Sequence, residues 1–221
     1  MLGGAWLWNL ALVQRPRTLV AAGKWPEARA AARRLEMSWL RLFGGVVDAS
    51  RYTRALCYHL EGRFEESQEV LARVRNTKAM AYAARTLEAG NLLFLGRDHE
   101  RVEALLREAK QTKELPEDVL LLAIAKLGLG KREEAEQCFA RAGTKRAPDL
   151  DGPLINEPAF HYLRALYLLK TGRAEQSLPD LQAAAHAIQA SIYVKRARQL
   201  LPGGESEDEP PTSLDAQILG G

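Results

Sequence analysis

Cysteine is nearly absent from this chain: Cys57 and Cys138 are the only two in 221 residues. They stand far apart, each inside a helical pattern. No disulfide framework is available to them, both are expected as reduced core thiols, and the cytoplasm is the expected compartment. Histidine is almost as scarce. His59, His99, His161 and His186 are dispersed along the chain, with no HExxH or other metal-ligand spacing. His59 lies two residues from Cys57, but residues two apart on a helix point to different faces. A glycine-rich phosphate cradle is also missing, because the 17 glycines and 10 prolines are scattered as punctuation. These absences argue against an enzyme, and no metal or cofactor is expected.

Long apolar runs are missing too. The run Ala5–Val13 is too short to span a bilayer, and no basic residue precedes it as a secretory signal would require. Leucine at position 2 excludes N-myristoylation there. The expectation is a soluble, unprocessed chain without a membrane span.

Basic residues are missing from the C-terminal stretch, where acids accumulate. Residues 202–221 hold no Lys or Arg and five acids, Glu205, Glu207, Asp208, Glu209 and Asp215. That tail carries −5, which leaves +8 on residues 1–201 of a chain whose net charge is +3. An acidic, proline-containing stretch of this kind is expected to be disordered. The densest basic cluster is Arg15, Arg17, Arg29, Arg33 and Arg34. It reads as a solvated helix face, with an acidic partner or nucleic acid as the alternatives.

What the chain does contain is a recurring turn. Gly23-Lys24-Trp25-Pro26-Glu27-Ala28 is followed by Gly62-Arg63-Phe64-Glu65-Glu66-Ser67 and by Gly96-Arg97-Asp98-His99-Glu100-Arg101. Gly130-Lys131-Arg132-Glu133-Glu134-Ala135 and Gly172-Arg173-Ala174-Glu175-Gln176-Ser177 complete the series. Each turn follows one apolar helical pattern and opens another. The glycine can end a helix in a left-handed conformation, and glutamates suit the first turn of the next helix. Spacings of 39, 34, 34 and 42 residues between the glycines mark a repeat of two helices, and therefore a helical solenoid.

Taken in order, residues 5–22 are apolar on nearly every side, and Pro16 is expected to end or kink that helix near Gln14 or Arg15. A return helix over Pro26–Leu42 carries Ala28, Ala32 and Leu35 on one stripe, and Gly44-Gly45 breaks it. Asp48 to Ser50 supply cap candidates for the next helix. Further helices are expected at about 50–61, 64–76, 79–95, 99–112, 117–129, 132–143, 158–171 and 175–201. The last of these should break near His186–Ser191 and leave a capping helix. Gly143–Glu157 is the longest internal loop and the best internal boundary. All four tryptophans (Trp6, Trp8, Trp25 and Trp39) fall in the first 39 residues. Trp6 and Trp8 read either as a terminal cap or as an interface for a second subunit.

These residues resemble the tetratricopeptide repeat family over about residues 10–190. The family has a small residue seven positions before the turn glycine, here Ala55, Ala89, Ala123 and Ala165, with Pro16 in the first unit. Five positions after the glycine it has another, here Ala28, Ser67, Ala135 and Ser177, with Arg101 the exception. Large residues follow at Leu71, Leu105, Phe139 and Leu181, with the smaller Ala32, and then alanine at Ala142 and Ala184. Leu35, Val74 and Glu108 depart from that last preference. A one-residue slip in the third unit would put Val102, Leu106 and Ala109 in these roles.

The resemblance implies an all-α, right-handed superhelical solenoid of about five hairpins, a C-terminal capping helix and a repeat domain over 1–201. It also implies a concave groove lined by residues ten, six and three positions before each turn glycine. These are Tyr52, Leu56 and His59; Thr86, Gly90 and Leu93; Leu120, Ile124 and Leu127; and Tyr162, Leu166 and Leu169. The Lys, Arg and Asn with which some family members hold a C-terminal carboxylate are missing from that face. An apolar groove of this kind suits an amphipathic helix or apolar peptide. The expected function is a non-catalytic scaffold or adaptor, with chaperone-like activity inside the same reading. The alternatives are a nucleic-acid-associated regulator using the basic N-terminal hairpin, and a structural subunit that oligomerises through Trp6 and Trp8.

Overall fold

The last four carbonyls of an α-helix find no donor within the helix, and in this chain one residue type resolves that problem five times. Gly23, Gly62, Gly96, Gly130 and Gly172 adopt φ of 71°, 83°, 63°, 73° and 76°, the left-handed region open to glycine at low cost. Each glycine N–H donates to the carbonyl three residues back, and the next residue's N–H donates to the carbonyl five back. Gly62 reaches His59 at 2.9 Å and Arg63 reaches Tyr58 at 2.9 Å, while Gly130 and Lys131 reach Leu127 and Lys126 at 3.0 and 2.9 Å. This pair of bonds is the Schellman closure.

The computed structural model describes residues 14–42, 44–74, 78–110, 115–144, 156–188 and 191–203, and every regular element among them is helical. The helices are α1 (14–21), α2 (Trp25–Met37), α3 (Gly44–Leu60), α4 (Phe64–Leu71), α5 (Lys78–Phe94) and α6 (His99–Lys110). After them come α7 (Pro116–Gly128), α8 (Arg132–Thr144), α9 (Asn156–Lys170), α10 (Ala174–Ala185) and α11 (Ile192–Leu200). A 3₁₀ turn, Trp39–Leu42, follows α2. The chain divides into two units, Met1–Ala84 and Arg85–Gly221, so the division falls inside α5 rather than in Gly143–Glu157.

In the first unit α3 packs against α2 and α4, burying Trp25, Ala28, Ala32 and Leu35 of α2 together with Ala55, Cys57 and Leu60 of α3. In the second unit α7 packs against α6, α8 and α9, and α9 also meets α10 and α11. Helix α7 is apolar on all sides from Val119 to Ala125, and that whole stretch is buried, as such a helix requires. The small residues of the repeat pattern are buried in the core. Ala55, Ala89, Ala123 and Ala165 are wholly buried, as are Ala28, Ser67, Ala135 and Ser177. In the third repeat the slip is visible: Val102, Leu106 and Ala109 are buried while Arg101 is exposed. Its cause is an added residue, Asp98 (φ 47°), whose Oδ1 accepts the Arg101 N–H and starts the helix one position late.

Some boundaries differ from the sequence pattern. Helix α1 is described from residue 14 to 21 with Pro16 in its first turn, and the apolar stretch before it lies outside the described residues. Helix α2 stops at Met37, where extended Ser38 takes the Leu40 N–H on its hydroxyl. Gly44 and Gly45 open α3 instead of breaking a helix, a place where N–H groups have no intrahelical acceptor to lose. Asp48 therefore sits inside α3 rather than capping it. The interruption at His186–Ser191 does separate α10 from α11.

Successive turns are tied by charge at one repeated position, six residues after the glycine (seven in the third repeat). Arg29 there meets Glu61 of the next turn, and it lies with Arg63 against the Tyr58 ring, 4.8 and 4.7 Å from its centroid. Glu136 takes both Arg173 Nη1 (3.1 Å) and Nη2 (2.9 Å) together with the Tyr167 hydroxyl at 2.9 Å. The third tie is the most buried. Glu103 accepts Lys126 Nζ at 3.0 Å, Lys131 Nζ at 2.8 Å and Arg107 Nη2 at 2.6 Å, and Lys126 also meets Glu134. The Lys131 ammonium, with Lys126 beside it, holds the Glu103 carboxyl below its ordinary value of 4.5 against the opposing effect of burial.

Three outcomes are expected of this framework. A Cβ at Gly130 meets nothing within 4 Å, so Gly130→Ala should cost about 1–2 kcal/mol from backbone conformation alone. Gly130→Asn should recover part of that in urea melts, and a neutral Gly130→Ala would contradict the closure. At Gly128 a Cβ would fall 2.8 Å from His99 Cγ and closer still to Cδ2 and Nε2. Gly128→Ala should therefore destabilise by about 1–3 kcal/mol, and His99→Ala in the same chain should relieve most of it. Glu103→Ala should cost about 2–3 kcal/mol by removing the buried acceptor of Lys126, Lys131 and Arg107 and leaving Lys126 with the exposed Glu134 alone, with Glu134→Ala much milder. Because the Glu103 pKa is lowered on folding, its contribution is full above about pH 4.5 and is lost as pH falls through the folded pKa. Acid melts should show that loss in the native chain and not in Glu103→Ala.

Candidate functional site

The twelve groove positions divide by burial. His59, Gly90, Leu93, Leu120, Ile124, Tyr162 and Leu166 are buried, while Tyr52, Leu56, Thr86, Leu127 and Leu169 are half-buried. In the second unit Tyr162 belongs to a cluster of three rings. Phe94 stacks on Tyr162 with centroids 6.1 Å apart, and Tyr193 of α11 closes on Phe94 at 5.8 Å and on Tyr162 at 5.9 Å. Tyr162 is 0 % exposed, so the chain's own capping helix occupies the place over this tyrosine. In the first unit His59 turns its ring edge to Phe64, with centroids 5.4 Å apart. Substituting Ile124 or Tyr162 with glutamate would bury a charge in the core, and neither change can serve as a surface probe. Trp6 and Trp8 lie outside the described residues.

The Cys57–His59 neighbourhood holds no reactive pair. Cys57 is fully buried, and burial pushes its thiol up to about 12, which keeps it protonated and inert at neutral pH. Cys138 is also buried, and neither cysteine is in a disulfide. No group of three or more His, Cys, Asp and Glu side chains among the described residues is arranged to hold a metal ion, and no described helix is long and apolar enough to cross a membrane.

The surface left open lies in the first unit. Four cations of its helices and turns are paired: Arg29 with Glu61, Arg51 and Arg54 with Glu36, and Arg63 with Glu66. Seven others, Arg15, Arg17, Lys24, Arg33, Arg34, Arg41 and Arg73, enter no ion pair among the described residues. Arg15 of α1, Lys24 of the turn and Arg34 of α2 line a cleft of about 500 Å³ with Glu27, Leu19, Leu35 and Trp39. Among the described residues none of these three cations enters an ion pair. Trp39 of the same wall is 59 % exposed, and Met37 and Leu42, near it in sequence, are 74 % and 80 % exposed. Three solvent-facing cations and an exposed tryptophan therefore share one rim.

This rim was hidden in the sequence for a geometric reason. Continuing the α2 stripe Ala28, Ala32, Leu35 at helical spacing places Trp39 and Leu42 on the buried face. Because α2 ends at Met37 and a 3₁₀ turn follows, the phase changes. Leu40 turns inward at 6 % exposure, and Trp39 and Leu42 turn out. The basic cluster splits as well: Arg29 is tied to the next turn, Arg15 and Arg34 face the cleft, and Arg17 and Arg33 are exposed. The signal available was Ser38, a helix-terminating side chain three residues after Leu35.

No family model matches the chain, and neither a curated protein nor a solved structure does.

Proposed function

We propose that this chain is a non-catalytic helical-repeat adaptor: a right-handed solenoid of five hairpins capped by α11, built to hold a protein partner. The five identical glycine closures and the buried small residues at fixed distances from them support the tetratricopeptide-like repeat. The partner surface is the N-terminal rim rather than the deep groove positions, whose side chains serve the core. One observation carries this: Met37, Trp39 and Leu42 expose large apolar side chains within six residues, and exposed apolar surface concentrated in one place favours an interaction site. Tryptophan on such a surface is the residue type most often found carrying binding energy.

The test is quantitative affinity capture with the full chain and with Trp39→Ala plus Leu42→Ala. Both positions are exposed, so thermal melts should be unchanged to within about 0.5 kcal/mol. Specific partners should fall by about tenfold or more in the variant, the loss expected from one hot-spot side chain. An identical partner set at identical recovery would overturn the reading.

A further inference from the structure

The rim carries more information than exposure alone, because its charges and its apolar groups are arranged together. Arg15, Lys24 and Arg34 converge on one cleft against a single carboxylate, Glu27. Arg29, Arg51 and Arg54 of the same unit pair instead with Glu61 and Glu36. What sets the three cleft cations apart is that they share one concave wall and enter no ion pair among the described residues. A concave wall concentrates such a field and raises the local concentration of an oppositely charged ligand. Trp39 stands at the same cleft, Leu19 and Leu35 form part of its wall, and Met37 and Leu42 flank Trp39 in sequence.

We propose that this cleft binds an acidic peptide segment of a partner protein, its carboxylates on Arg15, Lys24 and Arg34 and one aromatic or branched aliphatic anchor against Trp39. This rests on the adaptor reading above and names the chemistry of its partner. Carboxylates meet arginine in a two-pronged geometry, and a flanking apolar side chain gains the burial that Trp39 otherwise lacks. A nucleic acid is the less suitable occupant. Glu27 opposes an acidic peptide and a nucleic acid alike, but a nucleic acid would leave Leu19 and Leu35 of the cleft wall without an apolar partner. Binding to a nucleic acid needs a line of phosphate contacts, whereas three cations around one small cleft suit a short segment.

Fluorescence anisotropy with the full chain tests this directly. The probe is a labelled peptide of Asp and Glu around a central Leu-Phe pair. The comparison probes are the same peptide with Asn and Gln for its acids, the same peptide with Ser-Ser for Leu-Phe, and a single-stranded RNA oligonucleotide. The acidic apolar peptide should bind, and each altered peptide should bind about tenfold more weakly, a change of 1.4 kcal/mol. Lys24→Glu with Arg34→Glu should weaken the acidic peptide by at least about tenfold and remove most of its salt dependence. Both positions are exposed, and the thermal melt of this variant serves as the folding control. Trp39→Ala should erase the advantage of Leu-Phe over Ser-Ser while leaving the preference for acids. No binding of the acidic peptide, equal binding of the Asn and Gln peptide, or tighter binding of RNA that depends on Lys24 would overturn the proposal. Partner capture that needs Trp39 but ignores the charge reversals would overturn it while leaving the adaptor reading standing.

Discussion

A helix can stop cleanly only when its last carbonyls find donors, and the rest of this structure depends on how that condition is met. At five helix ends a left-handed glycine swings two consecutive N–H groups back under the final turn. The same swing reverses the chain within about two residues and aims the next helix back along the first. Close return is possible only if the core residues of the repeat pattern are small, and alanine or serine stands at most of those positions, buried to the last atom. Backbone closure, helix direction and side-chain size are thus one constraint seen at three scales.

That constraint is why so much of the architecture was legible. A positive φ is tolerated by glycine and resisted by nearly everything else, so the five turns stood out on spacing alone. The third repeat shows how fine the signal is. Arg101 broke the pattern of small residues, and the structure traces the break to one added residue, Asp98, that delays the helix by one position. The turn positions were legible because local chemistry decides them.

Surface was far less legible, because it depends on where helices stop and on what arrives from far along the chain. Tyr162 stands at a groove position by repeat count, yet Phe94 and Tyr193 close over it. No local pattern announces a contact between residues that far apart in sequence. Trp39 and Leu42 sit in phase with a buried stripe, yet the helix that would have buried them ends first. Gly44 and Gly45 look like a break and instead begin a helix, since glycine's cost falls mainly in helix interiors. In each case periodicity gave a phase, and the place where the phase ended decided exposure.

The ties between successive turns have a consequence for how such a chain can change over evolutionary time. Their sign is not constant. Arg29 reaches forward to a glutamate standing before the next glycine, whereas Glu103 and Glu136 reach forward to a lysine or arginine standing after theirs. The units share a shape but do not share a charge code, so they are not interchangeable parts. Each of the five glycines is followed by Lys or Arg, but Glu61 is the one acid that directly precedes such a glycine, so moving the first unit ahead of any other turn would cost Arg29 its partner. A lineage carrying this arrangement can diversify its turns residue by residue, but its repeats are held to their order.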